Sequence, residues 1–375
     1  MPLFQLSKTQ EVLVPSKNNE TGEWSLKTPY IDGAEFIATC SGDGNHLKYF
    51  KEGSITARCD IHGNIQTKYG IVTLDRLICL KQTVQTIVQN GTCPWCPGTK
   101  YTITPANYDT SSGYVDGQIH CCFNEYDLST YNVRHYIDGK NLANSVSVSR
   151  PSFQSAGMYP NIDVNKCYTK AVQVITFEQI LGSSDPTITC VDTTKSDVYL
   201  ARGHLGAMAD FPSVEGKLAT FYFCNATPQW QCLNAGNWLR AESDLRDWAS
   251  LNYCSLEVTT GVSGVLELKD VNGIDRKLYL GRDQDTDAML DKVPVPRRTI
   301  KMVYSPEKNC GIVIIQENNP CGTFTEQDHI CDDITDQLDW PTWNKDVTKG
   351  YTYSCALSTF KLEYFPSYPN ATVMM

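Results

Sequence analysis

Apolar and polar positions change their pattern partway along the chain. Over residues 1–135 the apolar positions come in short β-type runs, Ile71-Val72-Thr73-Leu74 and Tyr101-Thr102-Ile103-Thr104 among them, broken by Gly and Asn turn signals. No helical period runs through this stretch, which holds seven of the cysteines and ends in a polar, turn-rich segment at 133–144. From residue 136 onward the pattern is mixed. The run 171–181 (AVQVITFEQIL) predicts a helix. A short strand is expected over 197–201 and a stronger one over 218–224 (LATFYFC), which is rich in aromatic residues. Residues 234–251 predict a second helix. Further strands are expected at 255–259, 277–280, 299–304 and 311–316, and 351–364 closes the unit. The reading is an α+β chain, with a cysteine-rich β-rich domain at 1–135 and a larger mixed domain at 136–375.

The second predicted helix has an unusual inward arc. With Asn234 at zero and about 100° per residue, Trp238 falls at about 40°, Glu242 at about 80° and Arg246 at about 120°. Asn237, Arg240, Ser243, Asp244 and Asp247 fall between about 180° and 300°, a solvated face. Asn234, Glu242 and Arg246 therefore share an arc with Trp238, Leu239 and Leu245. Polar groups on a buried arc need partners, and a metal with a phosphate would supply them.

Composition narrows the class. Of 375 residues, 41% are hydrophobic and 20% charged, which suits a packed core and not disorder. No apolar run approaches the roughly 18 residues of a membrane-crossing helix. Sixteen cysteines, from Cys40 to Cys355, are unusual for a cytosolic protein without metal sites. Zinc needs paired ligands, and Cys93-Pro94-Trp95-Cys96 is an isolated pair. Pro97-Gly98 follows it instead of a helix, so a turn with structural disulfide chemistry is expected and not a thioredoxin-type motif. Several disulfides and export follow. Sequons at Asn19, Asn90, Asn225 and Asn370 fit a secretory route. Residues 1–16 lack the apolar core of a signal peptide, so the expectation is a secreted chain whose signal lies outside this sequence.

The formal net charge of −10 argues against a protein that coats polyanions. A local cluster of arginines with a bound cation can still hold phosphate inside an acidic molecule. His46, His62, His120, His135 and His329 stand in polar, turn-like surroundings and are expected to face solvent. Asp283, Asp285 and Asp287 alternate like the start of a calcium loop. The loop glycine is absent and Pro294 stands where the last ligand belongs, so no EF-hand is expected.

The candidate chemistry lies in 198–246: Arg202-Gly203-His204, Asn225-Ala226-Thr227-Pro228-Gln229, Leu233-Asn234, Trp238, Glu242 and Arg246. Singly, each has an ordinary structural reading. Arg-Gly-His is commonly a turn, Leu-Asn at a helix start an N-cap, and Glu242 with Arg246 an i, i+4 surface pair. Together, on a strand–strand–helix frame, they supply what phosphodiester hydrolysis needs. A neutral histidine such as His204 can take the proton of an attacking water, beside a glycine that allows close approach. A divalent cation can hold the extra charge at phosphorus and on the leaving oxygen. Mg2+ needs few protein ligands and keeps several waters, so one amide oxygen from Asn234 suffices, with Glu242 orienting those waters. Arg202 and Arg246 offer forked donors to phosphate oxygens.

This order and spacing resembles the DNA/RNA non-specific endonuclease family, the ββα-metal nucleases. The family pattern is Asp-Arg-Gly-His, Asn-x-x-Pro-Gln and Leu-Asn-Gln, then a Trp, a Glu and an Arg on the following helix. Here Arg202-Gly203-His204, Asn225 with Pro228-Gln229, and Leu233-Asn234 with Trp238, Glu242 and Arg246 match it. Ser149-Arg150-Pro151-Ser152-Phe153, Ala209-Asp210-Phe211 and Val293-Pro294-Val295-Pro296 are similar to the arthropod extracellular double-strand nuclease branch.

The resemblance implies a ββα-metal domain with a central antiparallel sheet behind a small disulfide-rich β domain. It implies His204 as general base, Asn234 as direct metal ligand and Glu242 as holder of water around the metal. Arg202 and Arg246 become phosphate contacts, and Asn225 a brace. The implied cofactor is Mg2+, with Mn2+ or Ca2+ as substitutes. The implied substrate is DNA and/or double-stranded RNA. Arg150 is the candidate for a further arginine upstream. The family's leading Asp is Ala201 here, and its Gln after Leu-Asn is Ala235. These departures keep a second expectation open, a nucleic-acid-binding protein on a nuclease scaffold with weak or lost catalysis. No glycan is expected at Asn225, because it would sit in the site.

Overall fold

Strand Ser54–Cys59 alternates strictly between exposed and buried positions, the signature of a sheet with one wet face. In the computed structural model it belongs to a six-stranded antiparallel sheet ordered Val12–Leu13, Leu3–Leu6, Glu35–Thr39, Ser54–Cys59, Ile65–Thr67, Gly70–Val72. Phe4, Phe36, Leu47 and Leu77 fill its core, and the Cys40–Cys79 disulfide closes it. The structure describes residues 2–8, 12–17, 24–26, 33–60, 64–81, 83, 85–105, 117–192 and 194–375. Asn19 and His62 lie outside these.

The second sheet has nine strands. Its main path runs Gln85–Thr92, Thr99–Pro105, Ile119–Asn124, Ser129–Asp138, Ser255–Val265, Pro296–Ser305, Cys310–Glu317, Thr352–Ala356, all antiparallel. Thr372–Val373 lies parallel beside Cys310–Glu317. Position 135 thus falls inside a mid-sheet strand. Backbone pairing divides the chain between Val72 and Gln85, so the strands from Gln85 onward join the larger sheet.

Alternation sorts the middle strands into two faces. Ile312 and Ile314 join Ile137, Leu256, Val258 and Val303 beneath Ala241, Leu245 and Trp248 of helix Leu239–Leu251. Ile300, Met302, Val313 and Ile315 point the other way, against Tyr353, Phe360 and Phe365. Cys310–Glu317 is buried throughout, which explains its nearly unbroken apolar run. Polar residues share the helix-facing phase, two of them titratable: the register sets Lys301 opposite Ile314 and Thr260, and His135 opposite Val258.

Helix Lys170–Leu181, ended by Gly182 in the left-handed region, packs Phe177 and Leu181 with Leu200, Trp230 and Leu233. The strand expected at 218–224 is absent. Ser213 caps a short helix, Val214–Ala219, and the strand begins later, at Ala226–Trp230. The run LATFYFC is apolar because every residue of it is buried, and full burial erases the periodicity that separates helix from strand.

Disulfides Cys93–Cys122, Cys190–Cys321 and Cys331–Cys355 join Cys40–Cys79. Cys93 thus pairs across strands and not within its Cys-x-x-Cys turn, and Cys96 lies unpaired beside that bond. Among the described residues, no helix is long and apolar enough to cross a membrane.

A hairpin of Leu200–His204 and Ala226–Trp230 stands apart from the large sheet. Buried amides tie it down. Asn318 Nδ2 donates to Pro228 O at 3.0 Å and Pro296 O at 2.9 Å, and its Oδ1 accepts from Trp230 N at 3.2 Å. Gln229 Nε2 donates to Gln316 Oε1 at 2.9 Å. Asn318→Ala leaves three buried backbone groups unpartnered, at about 1–3 kcal/mol each. Denaturant titration is expected to show a loss on the order of 3–5 kcal/mol; a loss under about 1 kcal/mol would mean that the hairpin does not depend on this staple.

Candidate active site

Strand periodicity puts Arg202 and His204 on one face of the hairpin and Gly203 on the other. A Cβ on Gly203 would lie 2.4 Å from Gln229 Oε1 and 2.7 Å from Gln229 Cβ. The glycine makes room for the buried Gln229, not for a substrate, which corrects the expectation above.

His204 is wedged between Phe153 and Phe221, at ring-centroid distances of 5.0 Å and 5.2 Å. Its Nε2 is buried with no hydrogen-bond partner. Burial, and then the charge of the exposed Arg150, push the imidazole down to about 4, so it is neutral at pH 7. Arg202 lies over an aromatic floor, 5.2 Å from the Tyr168 centroid and 5.6 Å from that of Phe223, and donates from Nη2 to Asn165 O at 3.2 Å.

Asn225 is wholly buried. Its Oδ1 accepts from Gly206 N at 2.8 Å, and its Nδ2 donates to Gly206 O and Thr220 O, both at 3.0 Å. These bonds fix the turn that follows His204.

Beyond the hairpin the chain makes one α turn, Gln231–Leu233, then a π turn, Asn234–Trp238, then the helix Leu239–Leu251. Gly236 breaks the helical path at φ −92°, ψ −119°, pressed against the Lys349 carbonyl, which a Cβ would approach to 2.4 Å. A constant 100° rotation does not survive this break. Leu239, expected on the inward arc, is 51% exposed. Asn237, expected in solvent, is buried and donates to Asn344 O and Gly350 O, each at 2.6 Å. Trp238, Glu242 and Leu245 are buried and Arg246 is half-buried, as the arc requires.

Asn234 is half-buried. Its Nδ2 reaches Gln231 Oε1 at 3.5 Å, and among the described residues no donor meets its Oδ1. Glu242 is 9% exposed. Burial lifts its carboxyl to about 7, with Lys301 and Arg246 pulling it down and Asp210 pushing it up.

Three residues of the site carry no part of the linear motif. Asp210, 1% exposed, accepts from His135 Nε2 at 2.8 Å and from Arg246 Nη1 at 2.9 Å. Burial opposes its ionisation, but the His135 bond and the Arg246 charge hold the carboxyl well below the usual carboxylate range. His135 is fully buried, contrary to expectation, and burial outweighs Asp210 to lower its pKa. Its inward phase in strand Ser129–Asp138 was the available signal. Lys301 is buried among apolar neighbours, donates from Nζ to Thr260 Oγ1 at 2.8 Å and lies 5.1 Å from the Trp238 ring centroid. The same phase argument applies to it. His120 and His329 are half-buried, with His329 stacked on Tyr353 at 4.0 Å.

An unengaged amide oxygen on Asn234 and a buried carboxylate on Glu242 are oxygen donors of the kind a hard divalent cation and its waters take, and a neutral imidazole stands on the hairpin before them. A two-stranded hairpin followed by a helix that bears this set is the scaffold of a ββα nuclease. Residues 102–360 match the family described as DNA/RNA non-specific endonuclease, and the chain belongs to that family of nucleases. It is 27% identical over 356 residues to a salivary endonuclease of Lutzomyia longipalpis, covering 92% of this chain and 77% of the relative. It is 24% identical over 361 residues to the salivary protein Tsal1 of Glossina morsitans morsitans, covering 93% and 86%. A solved structure of the EndoG/EndoGI complex has a chain similar over 55% of this one and 73% of that one, at 18% identity and a TM-score of 0.31.

Two outcomes follow from the burial of these groups. The Asn225 Nδ2 is enclosed and doubly engaged, so mass spectrometry of the protein made in a glycosylating host is expected to find that sequon unmodified; a glycan there would mean that Asn225 is not the clamp described. Glu242 has a folded value of about 7 against 4.5 for the free group, so its stabilising contribution is complete below pH 4.5 and is lost as pH rises through 7. The loss is on the order of 3 kcal/mol. Melting curves in EDTA are expected to show Glu242→Gln gaining on wild type by a few degrees between pH 5 and pH 8. A pH-independent difference would mean that the carboxyl is already ionised in the folded protein.

Proposed function

We propose that this protein is a secreted endonuclease that hydrolyses phosphodiester bonds of DNA and/or RNA, with a preference for double strands and with Mg2+ as cofactor. The observation that carries the reading is His204, an imidazole kept neutral between Phe153 and Phe221 with a buried, unpartnered Nε2. Nε2 is sealed from solvent, so the other ring nitrogen, Nδ1, is the one that takes the proton of the attacking water. A base held near 4 is weak, but phosphate changes its surroundings. Burial is the larger cause; anionic oxygens against Arg150 would remove the second one and so strengthen the base.

Arg150, Arg202 and Arg246 bind and orient the phosphodiester through forked donors. Phe153 and Phe221 keep bulk water from the imidazole. Asn225 holds the backbone after His204 in place. Asn234 Oδ1 would hold the cation, and the Glu242 carboxylate would hold water around it. When bound, that ion supplies Lewis-acid stabilisation of the charge at phosphorus and on the leaving oxygen. Secretion is supported by the disulfides and by relatives named as salivary proteins. A second reading, binding with weak or lost catalysis, rests on Ala201 and Ala235 in place of the family's Asp and Gln.

The test is cleavage of supercoiled plasmid and of long double-stranded RNA, with Mg2+ or with EDTA, by wild type and His204→Ala. Degradation that needs the cation and falls at least about 100-fold in the variant is expected. No cutting by either protein, with a salt-sensitive mobility shift retained, would favour the second reading.

A further inference from the structure

We propose that Asp210 is a positioning residue for the reaction: it anchors Arg246 by one guanidinium nitrogen, so that the remaining donors are aimed at the substrate phosphate. The proposal rests on the reading of Arg246 as a phosphate contact given above. Asp210 belongs to the turn Met208–Asp210, which follows the hairpin strand of His204. Its Oδ1 accepts from Arg246 Nη1 at 2.9 Å, and its Oδ2 accepts from His135 Nε2 at 2.8 Å. One carboxylate therefore joins three elements: the His204 turn, the site helix and the mid-sheet strand Ser129–Asp138.

The geometry of Arg246 is that of a half-engaged fork. Its side chain is 15% exposed, and among the described residues its hydrogen bond is the one from Nη1 to Asp210. The other guanidinium nitrogens stay available for an incoming anion. Anchoring one arm removes rotamer freedom that a free arginine loses on binding, and it fixes the plane in which the other arm is offered.

His135 completes the device. It donates from Nε2, while Nδ1 is buried with no partner. A lone pair in that position costs less than an unpaired N–H, so the ring is the neutral Nε2–H tautomer. It steadies Asp210 without adding a positive charge to compete with Arg246. Stability alone does not account for a buried pair of this kind, because apolar replacements of similar volume are commonly neutral or stabilising. Positioning does account for it.

The experiment is a double-mutant cycle. Wild type, Asp210→Asn, Arg246→Ala and the double variant are compared for kcat and KM on a short fluorescent DNA duplex with Mg2+, each checked for folding by thermal melting. Asp210→Asn is expected to lower kcat/KM by about 10- to 100-fold, and the double variant to match Arg246→Ala within about twofold. A merely structural role predicts that the two losses multiply, and that result overturns the proposal. His135→Gln, which keeps a donor in place of Nε2, is expected near wild type, whereas His135→Leu is expected to resemble Asp210→Asn; equal losses in the two overturn the part assigned to His135. If Asp210→Asn does not fold, His135→Leu takes its place in the cycle. If wild type itself does not cut, the functional reading falls and not this one. The cycle is then read as duplex affinity by mobility shift in EDTA, where multiplying losses again overturn the proposal.

Discussion

Taking a carboxylate out of water costs several kcal/mol unless charged or polar donors meet it at close range. Asp210 imposes that requirement on this molecule, and three separate elements answer it. A strand must be in register to deliver His135. A helix must be in phase to deliver Arg246. The turn after His204 must be held so that both donors reach opposite oxygens of one group. Asn225 does the holding, through the backbone of Gly206. The hairpin, the sheet and the helix are thereby fixed relative to one another at the point where the candidate chemistry lies. A slip of one residue in the strand would send His135 to the opposite face of the sheet.

The sequence revealed the elements better than their phases. Strands at 255–259, 299–304 and 311–316 were legible because apolar positions alternate or run continuously there, and all three exist with longer bounds. The site helix was legible as a helix. Its inward arc was only partly so, because a wheel drawn from Asn234 carries no mark of the π turn at Gly236, and that turn moved Asn237 inward and Leu239 outward. The segment 218–224 misled because complete burial makes a turn and a short helix look as apolar as a strand. His135 and Lys301 had a usable signal, an inward period-2 position, which their polarity obscured. Asp210 had no phase signal, only its place in the Ala209-Asp210-Phe211 resemblance, since it stands in a one-turn element and its partners lie 75 and 36 residues away in the chain.

The linear motif mixes two kinds of residue, which the fold separates. Asn225, Gly203 and Gln229 are enclosed and serve the frame: a clamp, a gap and the amide that fills it. His204, Asn234, Glu242 and Arg246 keep an atom without a full set of partners. His204 has an orphaned Nε2, Asn234 a free Oδ1, Glu242 no cation to neutralise it, and Arg246 open guanidinium nitrogens. Deficits of this kind cost stability in the unliganded protein, and they cluster here within one helix and the strand beside it. Arg202 is intermediate, with one arm on Asn165 and its plane on aromatic rings.

Charge distribution reconciles an acidic protein with an anionic substrate. The chain carries a net −10, yet Arg150, Arg246 and Lys301 each act electrically on the site carboxylates or on His204. Against them stand one ionised carboxylate, Asp210, and Glu242, which at neutral pH is divided between its two forms. Without a cation, ionising Glu242 puts a second negative charge near Asp210 in a poorly solvated space. On the proposed reading a divalent ion held by Asn234, with Glu242 holding its waters, would reverse that balance: it would favour the carboxylate form and add positive charge to the site. On that reading metal and proton would compete at Glu242, which would link the binding of the two.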